Sequence, residues 1–144
     1  MKLNQYLDQP RILREEIHLR EDKMKTLSIV ARQLDPYRAG MPASMNLESR
    51  VERYVIQKEK LEQEIADLQR KLNVYEAELL FLFTMAGDEN SIKVLTRHYI
   101  GLEKYEKIAE SMERSISHVF RLRDRGIKDI KPYYEKNKSE LIVK

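Results

Sequence analysis

Six basic side chains fall within the segment from Arg114 to Lys131, which spans one predicted helix, and they are the residues of this chain best suited to bind an anionic polymer. They are Arg114, Arg121, Arg123, Arg125, Lys128 and Lys131. Asp124 and Asp129 oppose them, so six minus two gives the segment a formal charge of +4, against +3 for the whole chain. Guanidinium and ammonium groups bind phosphates, and a guanidinium can also donate two hydrogen bonds to a guanine. The segment therefore has the chemistry of a phosphate- and base-binding surface.

At 100° per residue, the helix predicted from Ser115 to Ile130 separates into an apolar face and a polar face. The apolar face is formed by Val119, Leu122, Gly126 and Ile130. The opposite face is formed by Ser117, Arg121, Asp124 and Lys128, with His118, Phe120 and Arg125 at its flanks. In a helix-turn-helix, the recognition helix packs one face on a neighbouring helix and presents the other to the major groove. A basic amphipathic helix is also often no more than a solvated face, so this pattern alone leaves both interpretations open.

The polar face assigns different chemistry to different residues. Arg121 suits a guanine, while Ser117 and His118 lie on the first turn, where they suit base edges or a phosphate. Arg114, Arg125 and Lys128 are better placed for phosphates. Phe120 can contact a sugar or a thymine methyl, or it can pack against a neighbouring helix.

Three short helices are predicted to position this face, over residues 89–100, 104–111 and 115–130. Gly87 is expected to end the preceding helix, and Asp88 to cap the first of the three. The second helix offers Ile108, Ala109 and Met112 as its inner face. Ser115 stands at the N-cap of the third, where its hydroxyl can accept from the N–H of Ser117 or His118.

Upstream, an apolar row keeps alternating steps of four and three residues along about 60 Å of predicted helix. The row is Leu47, Val51, Tyr54, Lys58, Leu61, Ile65, Leu68, Leu72, Tyr75, Leu79, Leu82 and Ala86. A row of the same spacing runs from Leu13 to Leu34, and the segment from Asp35 to Ser44, with two prolines and a glycine, is expected to form a loop. The two rows predict an antiparallel helical hairpin with unequal arms. The overhanging end of the longer arm is expected to pack against the C-terminal domain, a second copy, or both.

The composition speaks against several classes of function. The chain has no cysteine, and its three histidines stand in no metal-binding spacing. Without a nucleophile elbow or a phosphate-binding loop, no enzyme activity, metal or cofactor is expected. The most apolar run, Leu79 to Ala86, is about half the shortest bilayer span, and the N-terminus lacks a signal-peptide core. We therefore expect a soluble, cytoplasmic protein.

The run from Val94 to Ile130 resembles the fourth region of bacterial sigma factors and, more closely, phage-encoded regulators of the RinA and ArpU kind. The residues that carry the resemblance are Ser115, His118, Val119, Phe120, Arg121 and Leu122. The resemblance implies activation of phage late genes, contact with host RNA polymerase, and recognition residues at Ile116, Ser117, Phe120 and Arg121. With the polar face, it defines the candidate DNA-binding set: Arg114, Ser115, Ile116, Ser117, His118, Phe120, Arg121, Arg125 and Lys128.

Two positions depart from the family pattern. Glu113 replaces the glycine common in the turn, so we expect it to adopt a left-handed conformation at a cost of about 1 kcal/mol. Lys104 stands where a serine or threonine usually caps the first helix, so that helix is expected to fray or to find another cap.

The expected architecture is all-α and has three parts. Residues 1–86 form a helical hairpin or coiled-coil oligomerisation arm, residues 87–131 a sigma-region-4-like helix-turn-helix domain, and residues 132–144 a C-terminal tail. The predicted function is sequence-specific binding of double-stranded DNA by a phage or prophage transcriptional regulator, acting as a homodimer or higher oligomer through its N-terminal helices. Two alternatives stay open: a small terminase subunit or similar packaging protein, and a coiled-coil scaffold whose basic helix binds protein.

Overall fold

The computed structural model describes the backbone of residues 1–38 and 47–139 and the side chains of residues 1–33 and 50–139. All regular elements in these ranges are helices, so the all-α class is confirmed. They are α1 (Leu3–Leu7), α2 (Gln9–Arg38), α3 (Leu47–Phe83), α4 (Glu89–Leu95), a π-helical turn (Thr96–Ile100), α5 (Tyr105–Met112) and α6 (Ile116–Asn137).

Helix α2 extends further than its proline content predicts. It continues through Asp35 and Pro36 to Arg38, so the predicted loop begins at least four residues later than expected. Close to the end of a helix, a proline removes one of the last hydrogen bonds and leaves the turns before it intact. The rest of the predicted loop, residues 39–44, lies outside the described residues. Pro10, in contrast, lies in the first turn of α2, where the missing N–H of a proline costs no helical hydrogen bond.

Helix α3 ends at Phe83, three residues before the predicted end at Ala86. The N–H of Met85 donates to the carbonyl of Leu82 and that of Ala86 to Phe83, both at 3.0 Å, so the last turn tightens to a 3₁₀ pattern. Gly87 does not adopt the left-handed conformation of a helix-ending glycine. Its N–H instead donates to the Asp129 carboxylate at 3.1 Å, so a contact with α6 fixes this turn.

Helix α6 continues seven residues beyond the predicted end at Ile130 and passes through Pro132. The predicted start of the tail at residue 132 is therefore wrong for residues 132–137, which are helical. A proline in a helix interior costs about 3 kcal/mol. Packing on both sides of it offsets that cost, because Ile130 and Tyr134 are both buried. The Tyr134 hydroxyl also donates to the carbonyl of Met1 at 2.5 Å.

The chain divides into two compact units: residues 14–70, here called the arm unit, and residues 1–13 with 71–144, here called the C-terminal unit. This division differs from the sequence-predicted boundary at residues 86 and 87. The reason is that both ends of the predicted arm contribute to the core of the C-terminal unit.

A tyrosine cluster forms the centre of that shared core. The ring of Tyr6 lies 5.4 Å from that of Tyr75 in α3 and 5.2 Å from that of Tyr134 in α6. The Tyr6 hydroxyl donates to Glu78 at 2.6 Å. Burial and this hydrogen bond raise the pKa of Tyr6, so it remains a neutral donor. The end of α3 packs on C-terminal residues as well, since the ring of Phe83 lies 6.2 Å from that of Tyr99, in agreement with one expectation for the overhang.

In the arm unit, part of α2 lies beside part of α3. Arg20 donates to the Glu64 carboxylate at 2.9 Å. Arg20 follows Leu13 and Ile17 at the four- and three-residue steps of the predicted row, and this ion pair accounts for a charged residue at that position. Lys58, which interrupts the row of α3, is exposed and lies 3.9 Å from Glu62 on its own helix. None of the helices in the described ranges combines the length and the hydropathy that spanning a bilayer requires.

Candidate nucleic-acid interface

Helices α4, α5 and α6 pack on one another through a small apolar cluster. Its buried members are Val94, Ile108, Ala109, Val119 and Leu122. Each of the three helices contributes at least one of them, so the predicted inner faces of α5 and α6 do face inward. Met112 and Tyr105 pack against the cluster from its edge.

The turn between α5 and α6 is closed by a residue in the left-handed region. Glu113 has φ 56° and ψ 42°, which confirms the left-handed conformation expected for this residue. The N–H of Arg114 donates to Ala109 at 3.0 Å and that of Glu113 to Glu110 at 3.2 Å. These two bonds form the Schellman arrangement, which satisfies the last carbonyls of α5 and sets the direction in which the chain leaves it.

The starts of the two helices differ in how they are capped. Ser115 has an extended backbone, and its hydroxyl accepts from the N–H of His118 at 3.2 Å, as predicted. Lys104, at the start of α5, makes no capping hydrogen bond with its side chain. Glu106 supplies a negative charge in the first turn of α5, where it interacts favourably with the helix dipole.

A direct contact between α4 and α6 fixes the rotation of α6. Gly126 faces α4, and a β-carbon placed there would lie 2.7 Å from Cδ1 of Leu95 and 3.2 Å from Cβ of Ser91. A larger residue would require the Leu95 side chain, or one of the two helices, to shift. Because Gly126 holds this face of α6 inward, the face that carries Arg121 is turned toward solvent.

Six of the nine predicted DNA-binding residues are exposed, and three are partly buried. The exposed six are Arg114, Ser115, Ser117, Arg121, Arg125 and Lys128. The partly buried three are Ile116, His118 and Phe120. The exposed group lies along the polar face of α6 and the turn before it, so these side chains could reach a duplex without rearrangement of the helix.

The basic residues of this surface differ in whether they are paired. No described residue forms a hydrogen bond or ion pair with the side chain of Arg114, Arg121 or Lys128. Arg125 lies 3.3 Å from Asp88, the residue that caps α4. Arg123 donates to Asp124 at 2.9 Å. Among the predicted DNA-binding residues, these three cations have no partner in the described part of the chain, so an anionic ligand could bind them without breaking an ion pair.

Packing accounts for two of the partly buried residues. Ile116 packs against the apolar cluster. The ring of Phe120 meets that of Tyr105 edge to face at 5.1 Å, which is the neighbouring-helix alternative considered for this residue. To contact DNA, Ile116 and Phe120 would have to give up part of this packing. Their predicted DNA contacts stay predictions.

An aromatic and cationic cluster beside the turn was not predicted from the sequence. The ring of His98 stacks on that of Tyr105 at 3.8 Å, and the guanidinium of Arg123 lies 5.2 Å from Tyr105 and 4.8 Å from Phe120. Arg123 therefore contacts both α5 and α6. In the sequence analysis it contributed only to the charge of the segment. The sequence indicates this cluster only by the aromatic residues between positions 98 and 120. Which of them contact one another depends on the tertiary fold.

The loop before α5 is held by a bidentate ion pair. Arg97 donates to the two carboxylate oxygens of Glu103 at 2.5 and 3.1 Å and to the hydroxyl of Ser111 at 2.8 Å. The hydrogen bond from Arg97 holds the pKa of the Glu103 carboxyl below its ordinary value of 4.5. In the same loop, Leu102 has φ 56°, a left-handed conformation that few bulky residues adopt.

Within the described residues, no group of His, Asp and Glu is arranged to hold a metal ion. His18 lies near Glu21 and Asp22 on the exposed side of α2, at 4.0 and 3.7 Å. Comparison of the chain with protein-family models, curated proteins and solved structures finds no match.

Proposed function

We propose that the protein is a sequence-specific transcriptional regulator that binds double-stranded DNA, with α5 and α6 as a helix-turn-helix and the first turns of α6 in the major groove. One observation carries the proposal. Ser117 and Arg121 are exposed, whereas Val119 and Leu122, on the opposite face of the same helix, are buried against α4 and α5. A recognition helix needs this division between its two faces.

The residues take different roles in this proposal. Arg121 is exposed and unpaired, so it can donate two hydrogen bonds to a guanine, which is worth about 1–3 kcal/mol of discrimination. Arg114 and Lys128 contact phosphates. Arg125 also contacts a phosphate, once its ion pair with Asp88 has broken. Breaking this pair costs little, because exposed ion pairs contribute about 0–1 kcal/mol.

The biological setting is a further part of the proposal. The resemblance to sigma region four and to phage late-gene regulators supports a role in phage or prophage transcription in the cytoplasm of a bacterial host. Contact with host RNA polymerase rests on that resemblance alone. No catalytic step and no cofactor is part of the proposed function.

A salt titration of duplex binding tests the proposal. Three phosphate contacts per chain predict a slope of about −2.7 in log affinity against log salt, or an affinity loss of about 40-fold between 50 and 200 mM. The double variant Arg114→Ala, Lys128→Ala should reduce this slope, and Lys25→Ala, an exposed cation of α2, should not. An affinity that barely responds to salt would refute the proposal and favour the protein-binding scaffold.

A further inference from the structure

Few side chains are buried in the described part of the arm unit, residues 14–33 and 50–70. Of the described side chains between residues 14 and 70, only Ile17 is buried. Members of the predicted apolar rows are only half-buried, including Met24, Leu27, Leu61 and Ile65. Helices in water depend on packing of their apolar faces for most of their stability. Two helices whose described apolar side chains remain partly exposed are therefore expected to pack against a further surface.

An apolar groove lies between the two helices of this unit. It has a volume of about 530 Å³, and its apolar lining comes from Leu19 and Leu27 of α2 and Leu61 of α3. Leu19 is 56% exposed. Val30, 45% exposed, continues the row of Leu19, Lys23 and Thr26 by one more turn of α2. The exposed apolar side chains Leu19 and Val30 therefore lie on one side of α2, about three turns apart.

We propose that a second copy of this chain covers the groove, so that two arm units form a four-helix dimer interface. This inference rests on the proposed function, because the dimer would join two DNA-reading heads, each the helix-turn-helix of α5 and α6 in one copy.

The charges of the arm unit favour a second copy. Residues 14–70 contain eleven Lys and Arg and eleven Asp and Glu, so the unit is formally neutral, and the whole +3 of the chain belongs to the C-terminal unit. The groove is bordered by Asp22 and Lys23 on α2 and by Lys60 and Glu64 on α3. Both helices thus carry one acid and one base at the groove. Across a two-fold axis, the acids of one copy can pair with the bases of the other.

The spacing of the exposed apolar side chains of α2 also favours a second copy. A partner must present an apolar row with helical spacing and comparable length, because the uncovered side chains recur along several turns of α2. The arm unit itself carries such rows on both of its helices. Linking two reading heads in this way raises the effective concentration of the second head at its half-site, which increases affinity without any new contact to DNA.

Sedimentation and light scattering of the full chain test this inference. At about 10 µM, wild-type protein should have twice the monomer mass of 17.2 kDa. Leu19→Glu places a charge in the groove at an exposed position, so the mass should fall to that of the monomer while the circular dichroism remains helical. Thr26→Arg tests the same groove from a polar, exposed position, and it should give the same result.

Val55→Glu is the matched control. Val55 is 44% exposed in the same unit but lies roughly 120° or more around α3 from each groove-lining residue of that helix. This variant should remain a dimer. A monomeric wild type, or equal dissociation by Leu19→Glu and Val55→Glu, would overturn the inference. A ring of eight or more copies would overturn it as well and would favour the packaging alternative.

DNA binding separates the inference from the proposed function. Leu19→Glu should lose at least about tenfold in affinity for a duplex with two half-sites and retain wild-type affinity for a single half-site. A monomeric wild type that still binds DNA with a steep salt dependence would refute only the dimer. A dimer with no affinity for DNA would refute only the DNA-binding function.

Discussion

Gly126 of α6 lies so close to Leu95 of α4 that a β-carbon at position 126 would come within 2.7 Å of the Leu95 side chain. Leu95 is fully buried and cannot move away without disturbing its neighbours. This contact sets how far α6 can rotate about its own axis. It therefore controls which side chains of α6 reach solvent.

Gly126→Val should destabilise the fold by about 2 kcal/mol or more, because the added methyl groups overpack the contact with Leu95 and Ser91. Urea unfolding followed by circular dichroism measures the change. Gly87→Val is the control, since the nearest atom to its β-carbon would be 3.6 Å away and the residue is exposed. Equal losses at both positions would show that close packing at residue 126 is not the cause.

Arg121→Ala and Lys128→Ala should weaken DNA binding in different ways. Loss of Arg121 should relax preference at one base pair by about 1–3 kcal/mol, because a bidentate contact to a base carries sequence information. Loss of Lys128 should weaken all sequences about equally and reduce the salt slope by about 1. Selection of bound sequences from random duplexes measures the first effect for each variant, and a salt titration of duplex affinity measures the second. If the two variants behave alike, the polar face has been assigned incorrectly.

Glu113→Gly should raise the free energy of unfolding by about 1 kcal/mol, because glycine adopts φ 56° without the steric cost that glutamate bears. Glu110→Gly, one turn earlier on the exposed face of α5, should lower it by about 0.5–1 kcal/mol. Denaturant unfolding of the two variants provides the comparison. A loss at both positions would mean that the Glu113 side chain contributes more than its backbone strain costs.

The stability of the fold should depend on the ionisation of Glu103. Its pKa is lowered in the folded state by the hydrogen bond from Arg97, so the folded protein holds that proton less tightly than the unfolded chain does. The contribution is therefore present in full above the ordinary pKa of 4.5 and is lost as the pH falls through the lower, folded value. Unfolding measured between pH 3 and pH 6 should decline less steeply toward acid in Glu103→Gln than in wild type. An unchanged slope would show that the ion pair does not contribute to acid stability.

Local features of the C-terminal helices were predictable from the sequence, because neighbouring residues determine them. Asp88 accepts from the N–H of Asn90 at 3.0 Å, and Ser115 accepts from that of His118, each within three residues along the chain. The conformation of Glu113 follows from its place after the last turn of α5. The inward direction of Val119 and Leu122 follows from helical periodicity, since apolar residues at this spacing share one face.

Other features depend on partners far away in the sequence. Helix α6 continues past Pro132 because Tyr134 reaches Tyr6 and Met1, at the opposite end of the chain. Arg125 turns toward Asp88, and Phe120 toward Tyr105, for the same kind of reason. No periodicity within one helix encodes such contacts.

By itself, the sequence determined that the chain is helical, where the short C-terminal helices begin, and which face of α6 is apolar, because hydrogen bonding and burial over a few residues decide these features. Only the tertiary structure decided that the first 13 residues join the C-terminal unit and that α6 extends to Asn137. It also decided which cations remain unpaired. These features follow from contacts between residues distant along the chain, and such contacts form only when the whole unit folds.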